Sequence, residues 1–307
     1  MRYLYPRSRA TVNTARHLPS VAFLTLDDRS GYVIDDDLAI AELRARAWHV
    51  EEIPWRRRGV DWSAFDLVLI RTTWDYQHDL DAFLDALSAI EAAGVPLANP
   101  SALVRWNARK TYLRDLAARG VPVVPTRWGE GLSADGLRSL CAALGDGGCV
   151  LKPTVSANAH DTWRLPRDVD PSVAAALASR FTGREWMAQP FVASVLDEGE
   201  YSVFYFDGSY SHAIVKRPKP GDFRVQEEHG GRIAGIEPDA ALRRAADRVM
   251  GALDEAPLQA RVDLVRLDDG SLALMELEAI EPSLYFRTHP QAAEHFADAL
   301  ARYLSRR

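Results

Sequence analysis

Residues 261–283 read RVDLVRLDDGSLALMELEAIEPS, two apolar runs of strand character on either side of a DDGS turn. An Asp-Gly turn between such runs is the sequence form of a β-hairpin. If the turn pairs the runs, Asp263 on the first meets Glu276 and Glu278 on the second, because residues two apart on a strand share a face. Three acids converging inside an apolar sheet repel one another unless a cation intervenes. Hard oxygen donors suit Mg²⁺, which takes one or two carboxylates together with substrate phosphates. An acidic hairpin face turned to solvent is the plain alternative, and this stretch alone does not exclude it.

Basic residues precede the hairpin at intervals. Lys110 lies in WNARKTYLRDL and is predicted mid-helix, whereas Lys152 ends the strand GCVLKP just before the polar loop TVSANAHDT. A lysine at a strand end followed by small residues is well placed for phosphate, as a point charge to which loop amides can add donors. WMAQPFV bends at Pro190 and could offer backbone groups to an adenine edge, with Glu200 or Asp197 accepting from ribose hydroxyls. SHAIVKRPKPGDFRVQEEHGG concentrates Lys216, Arg217, Lys219 and Arg224, cations of the kind that stabilise a developing phosphoanhydride. Each segment also has an ordinary reading as solvated helix, core strand or surface base.

The chain of 307 residues is 47% hydrophobic and 26% charged, enough for two domains or one compound one and too apolar for disorder away from the ends. Lys+Arg 37 against Asp+Glu 43 leaves a net charge of −6 without a long basic stripe, which argues against nucleic acid as the main partner. No run approaches the roughly 20 apolar residues of a membrane span. The start lacks the apolar middle of a secretory signal, so a cytoplasmic protein without a membrane partner is expected, with residues 1–19 a flexible tail. Cys141 and Cys149 lack metal spacing and read as buried free thiols.

From Val21 the apolar runs VAFLTL, HVEEIPW and FDLVLIRTTW alternate with the helical patterns DDDLAIAELRARA and DLDAFLDALSAIEAAG. The second pattern puts Leu80, Phe83, Leu84, Leu87 and Ile90 on one face and ends with Gly94 at C′. This alternation predicts a doubly wound parallel sheet over residues 20–99. Asn99-Pro100 then reads as N-cap and N1 of one helix that runs to Gly120. The segments EWMAQPFV, GEYSVFYFDGSYSHAIVKRP and DFRVQEEHGG read as antiparallel strands. In an open parallel sheet ligands sit beyond the carboxyl ends of the strands. RTTWDY falls there, so Arg71 could clamp a carboxylate and Asp75 an ammonium, with Thr72 beside them and Tyr32 supplied by the loop after the first strand. An interdomain salt bridge with aromatic packing is the other reading of RTTWDY, and both could hold together.

Taken in order, the lysine helix, strand-end lysine, hinge strand, basic segment and D…E-x-E pair resemble the ATP-grasp superfamily over roughly Asn99 to Leu304. The resemblance implies an α/β plus α+β chain: an N-terminal doubly wound parallel-sheet domain (20–99), then an ATP-grasp fold of two α+β subdomains at 100–185 and 186–307. It implies ATP between them, with Lys110, Lys152 and Ser156 toward phosphate, Gln189, Phe191 and Val192 near adenine, and Glu200 toward ribose. Asp263, Glu276 and Glu278 would hold Mg²⁺ or Mn²⁺, as one ion or two. Lys216 and Arg224 become candidates for the transferred phosphate and the acyl oxygen, and Arg261 for a carboxylate or phosphate.

Two departures stand out. Glu278 replaces the Asn that many members have, and residues 154–162 lack glycine, leaving Ser156, Asn158, His160 and Thr162 as side-chain donors. The implied chemistry is carboxylate activation to an acylphosphate, then attack by nitrogen, with positioning and electrostatics as the protein's part. RTTWDY, the S-x-N-A-x-x-T loop, GDFRVQ and MELEAIEPSLYF are most similar to the O-ureido-serine cyclo-ligase type of cycloserine biosynthesis. Such an enzyme, a monomer or homodimer with a small amino-acid-like substrate, closes a ring with a nitrogen of the molecule it activates. A ligase joining two molecules, a kinase and a non-catalytic nucleotide-binding module are the rival readings.

Overall fold

The computed structural model describes residues 18–307, and residues 1–17 of the expected tail lie outside the described residues. Strand β1 (Ser20–Thr25), helix α1 (Asp36–Ala45), β2 (His49–Pro54), β3 (Leu67–Thr72), α2 (Leu80–Ala92) and β4 (Leu97–Ala98) form a parallel sheet of order β2-β1-β3-β4. Helix α2 buries Phe83, Leu84, Leu87 and Ile90, starts on an Asp79 cap and ends before Gly94 at φ +80°, as its pattern predicts.

The helix expected over residues 101–120 is two helices, α3 (Ser101–Asn107) and α4 (Tyr112–Ala118). Pro100, not Asn99, occupies the N-cap position. Asn99 is buried and spends its amide on Gln259 O at 2.9 Å, Ala279 O at 2.7 Å and the Leu258 N–H at 2.7 Å. The break falls at Lys110, whose N–H donates to Thr154 O at 2.8 Å and is thereby drawn out of the helical ladder.

A second sheet of order β5-β8-β6-β7 follows, built from β5 (Arg127–Glu130), β6 (Cys149–Pro153), β7 (Trp163–Leu165) and β8 (Glu185–Pro190). Helices α5 (Ala134–Ala143) and α6 (Pro171–Arg180) share its core through Leu137, Cys141, Ala174 and Leu177. Cys141 and Cys149 are buried as expected, but they are joined as a disulfide rather than free, because α5 and β6 face each other across this core.

After the short helix α7 (Ser194–Asp197), the third sheet contains β9 (Glu200–Phe206), β10 (Ser209–Arg217), β11 (Arg232–Ile236), β12 (Gln259–Arg266) and β13 (Leu272–Glu278). Its antiparallel order is β11-β10-β9-β12-β13. Helix α8 (Ala240–Gly251) packs on it, and so does α4 through Tyr112, Leu113 and Leu116, so the chain just after residue 100 belongs to the core of the last sheet. DFRVQEEHGG is a loop and not the expected strand. Asp222 accepts the Phe223 and Arg224 amides, and a Cβ on Gly231 would lie 2.0 Å from Val225 O, a fold too tight for a ladder.

The C-terminal helix α9 (Ala292–Ser305) joins the first and third sheets, packing Phe296 and Leu300 with Phe23 and Leu69 on one side and Phe204 and Phe206 on the other. Within this joint Arg71 is buried. It pairs with Asp36 at 2.6 Å and donates to Gln259 Oε1 at 2.9 Å and Pro282 O at 3.3 Å. Removing one partner of such a pair strands a buried charge, typically at a cost of about 3–5 kcal/mol. Arg71→Ala is therefore expected to lower unfolding stability by that order, read as a drop in the urea midpoint at an unchanged slope. An unchanged midpoint would show that the joint does not need the pair.

Candidate active site

A cleft lies where the second and third sheets face each other. Its wall is set by strand register. Across the third sheet Lys216 on β10 stands opposite Glu200 on β9, Ser202 on β9 opposite Asp263 on β12, and Asp263 and Arg261 opposite Glu276 and Glu278 on β13. Gly199, at φ +101°, lets the chain enter β9 this close, since a Cβ there would sit 2.6 Å from Lys216 O.

The acids and bases neutralise one another. Lys216 Nζ is 2.5 Å from Glu200 and 3.3 Å from Asp263, and Arg261 holds Asp263 with two contacts of 3.0 Å while also pairing with Glu278. Lys110 pairs with Glu276, and Ser202 donates to Asp263. Burial works against the Asp263 charge, yet Arg261 and Lys216 hold its pKa at about 2. Burial, reinforced by Glu276 and Asp263, pushes Glu278 up to about 7 in spite of Arg261. Lys152 makes no ion pair among the described residues, and burial together with Lys110 lowers its pKa.

The far side of β13 is an edge strand whose free backbone groups would otherwise be unpaired. Asn107 donates to Leu277 O at 2.9 Å and accepts the Ala279 N–H at 2.8 Å, while the Tyr112 hydroxyl accepts the Leu277 N–H at 2.9 Å. The two short helices thus fix the acidic strand, and Lys110 between them, in one step.

The cleft gathers Lys110, Lys152, Ser156, Gln189, Phe191, Val192, Glu200, Lys216, Arg224, Arg261, Asp263, Glu276 and Glu278. The 154–162 loop achieves its course without glycine by placing Asn158, Ala159 and Asp161 at positive φ, with Asp161 anchored on Arg180 and Arg184. Asn158 and Thr162 line the cleft, whereas His160 is half-exposed and lies against His78. Among the described residues no group of three or more His, Cys, Asp and Glu stands in metal-binding array, and Lys110, Lys216 and Arg261 lie against the carboxylates.

A second cavity shares Lys216, Arg261 and Glu278 with the first and is walled by Tyr32, Trp74 and Tyr285. Of the expected substrate residues, Tyr32 reaches it. Arg71, Thr72 and Asp75 line neither cavity. The loop after β13 covers the end of β3, turning Arg71 to Asp36, while Asp75 accepts from Trp55 Nε1 at 2.7 Å and pairs with Arg56. The RTTWDY segment meets the cavity through Trp74, whose Nε1 donates to Glu281 O at 2.8 Å. Sequence reasoning passed over Asn107, Gln226, Glu281 and Tyr285. Glu281 carried a signal, being a further acid three residues beyond the E-x-E pair.

The chain is 36% identical over 273 residues to the cycloserine biosynthesis protein DcsG of Streptomyces lavendulae, covering 83% of this chain and 88% of that one. The chain belongs to the DcsG family. Residues 21–99 match the family described as D-cycloserine synthetase DcsG, N-terminal domain. The crystal structure of D-cycloserine synthetase DcsG superposes with a TM-score of 0.81 at 32% identity, covering 93% of this chain and 99% of the other. The D-alanine–D-alanine ligase of Bacillus anthracis shares the fold, with a TM-score of 0.65 at 17% identity over 94% and 98% of the two chains. DcsG-family membership makes the chain an ATP-dependent carbon–nitrogen ligase of the ATP-grasp type. Among the described residues no helix is long and apolar enough to cross a membrane.

The raised Glu278 pKa has a consequence for the ligand-free protein. Between its ordinary value of 4.5 and about 7 the folded state binds more protons than the unfolded one, so this contribution is full below 4.5 and lost as pH rises through 7. Glu278→Gln is expected to flatten that decline and raise the thermal midpoint at pH 8 by a few degrees. Parallel wild-type and variant profiles would show that Glu278 is not the group that titrates.

Proposed function

We propose that this ligase activates the carboxylate of an amino-acid derivative of the O-ureidoserine type and closes a ring with a nitrogen of the same molecule. The observation that carries the proposal is the charge arrangement in the cleft, where Lys110, Lys216 and Arg261 are held by carboxylates that phosphate can replace. Lys152 is the unpaired cation, and Lys110 is held by Glu276. Arrival of nucleotide phosphates would draw both lysines onto phosphate oxygens and release Glu276.

Asp263, Glu276 and Glu278 fit a hard divalent ion, Mg²⁺ or Mn²⁺, as three carboxylates on paired strands, and the third carboxylate supplies charge for a second ion. When bound, the metal supplies positive charge at the β- and γ-phosphates. The chain's own residues do the rest. Gln189, Phe191 and Val192 receive the adenine and Glu200 the ribose. Lys216 and Arg261 border both cavities and Arg224 borders the main cleft, and together they would orient the substrate carboxylate and balance charge as phosphate is transferred. The carboxylate oxygen attacks the γ-phosphorus and ADP leaves; the substrate nitrogen then attacks the acyl carbon and phosphate leaves.

The second cavity is walled by Tyr32, Trp74 and Tyr285 beside Lys216 and Arg261, a lining that suits the amino-acid part of the substrate. The names of the relatives, D-cycloserine synthetase and cycloserine biosynthesis protein, support the same substrate class.

O-ureidoserine alone is expected to support release of ADP and phosphate, at a rate that added free amino acids do not raise. A requirement for a second amine would replace cyclisation by intermolecular ligation. Glu276→Gln and Lys152→Ala are each expected to lower kcat/KM by about 100-fold or more while the circular dichroism spectrum is kept. Full activity in either variant would remove that residue from the phosphate and metal site.

A further inference from the structure

The main cleft is lined by the carboxylates of Glu200, Asp263, Glu276, Glu278 and Glu281. Four have a cation within 4 Å, but Glu281 has none among the described residues. It is only 7% exposed, no described side chain donates to it, and it also lines the second cavity. Its backbone is pinned on both sides, by Trp74 Nε1 on Glu281 O and by Arg71 on Pro282 O. Gln226 borders the same two cavities, and its amide oxygen is buried without a donor. A buried acceptor left unpaired is costly, and burial together with Glu278 raises the Glu281 pKa well above its ordinary value, as expected of a carboxyl group without the cation that would hold it ionised. Two such acceptors on one cavity call for a small cation that carries several N–H donors.

We propose that Glu281 and Gln226 receive the α-ammonium of the substrate, which makes Glu281 the residue that selects a free α-amino acid. The inference rests on the ligase reading above. Tyr32, Trp74 and Tyr285 supply ring faces that suit a desolvated cation. The pairing also serves the chemistry. An activated carboxyl group stands within reach of any free amine, and an α-amine held as ammonium has no lone pair with which to attack. Ring closure is left to the other nitrogen.

The test measures binding and turnover separately. Both enantiomers of O-ureidoserine, and their Nα-acetyl derivatives, are titrated calorimetrically into wild type, Glu281→Gln and Gln226→Met saturated with Mg²⁺ and a non-hydrolysable ATP analogue. Glu281→Gln is expected to weaken binding of the preferred free amine by about 30-fold or more, the scale for removing one partner of a buried charge pair. Gln226→Met should weaken it less, and nucleotide affinity should stay unchanged in both. The acetyl derivatives should bind weakly and alike to wild type and Glu281→Gln. Equal wild-type affinity for free and acetylated forms, unchanged affinity in Glu281→Gln, or no wild-type binding of either enantiomer would overturn the proposal. Phosphate release by wild type reports on the ligase reading independently: amine-selective binding without turnover would sink that reading and support this one. Turnover with an unchanged KM in Glu281→Gln would do the reverse.

Discussion

Charge balance inside a cleft that excludes much of the solvent is the constraint on which this structure depends. A carboxylate or ammonium moved out of water is tolerated when a partner of opposite sign is held against it, and a deletion that strands such a partner is costly. The third sheet meets that demand by strand register, which sets Lys216 against Glu200 and Arg261 against Glu278. Lys110 is brought in from another part of the chain to meet Glu276. The set is a chemical template as well, because its cations match phosphate and its carboxylates match a divalent metal. The ligand-free protein satisfies itself with the same groups that would recognise nucleotide.

Holding that template requires the surrounding fold. Strand β13 carries two of the acids at the sheet edge, and Asn107, Tyr112 and Asn99 fasten it or the segment after it by side-chain hydrogen bonds. The helical break at Lys110 is part of the same fastening, since its amide is bonded to Thr154 beside the strand that carries Lys152. Arg71 joins the parallel sheet to the loop after β13, so the N-terminal unit and the cleft share one packed joint. That joint turns Trp74 and Tyr32 toward the second cavity.

Much of this could be read from the chain before any coordinates. The alternation of apolar runs and helical spacing up to residue 99 specified a parallel sheet, and the D…E-x-E hairpin specified facing carboxylates, because both follow from local periodicities of 3.6 and 2. The Asp-Gly turn between β9 and β10 is likewise local, since Asp207 and Gly208 both take the positive φ that such a turn requires. Local pattern failed where a tertiary partner outbid it. Asn99 looked like a cap but was taken by β12 and the segment after β13, the 101–120 helix broke where Lys110 found Thr154, and GDFRVQ coiled around Gly231.

Local pattern in the chain was enough for most classes of element, for the order of basic and acidic segments and for the family they point to. Which charges meet was settled by packing. Arg71 and Glu281 show why: one is an exposed-looking arginine at a strand end that pairs inward with Asp36, the other an acid beyond the expected motif that is left facing a cavity. Pairing of buried charges depends on distances between segments far apart in the chain. Such distances are set by how sheets pack on one another, which no window of local sequence contains.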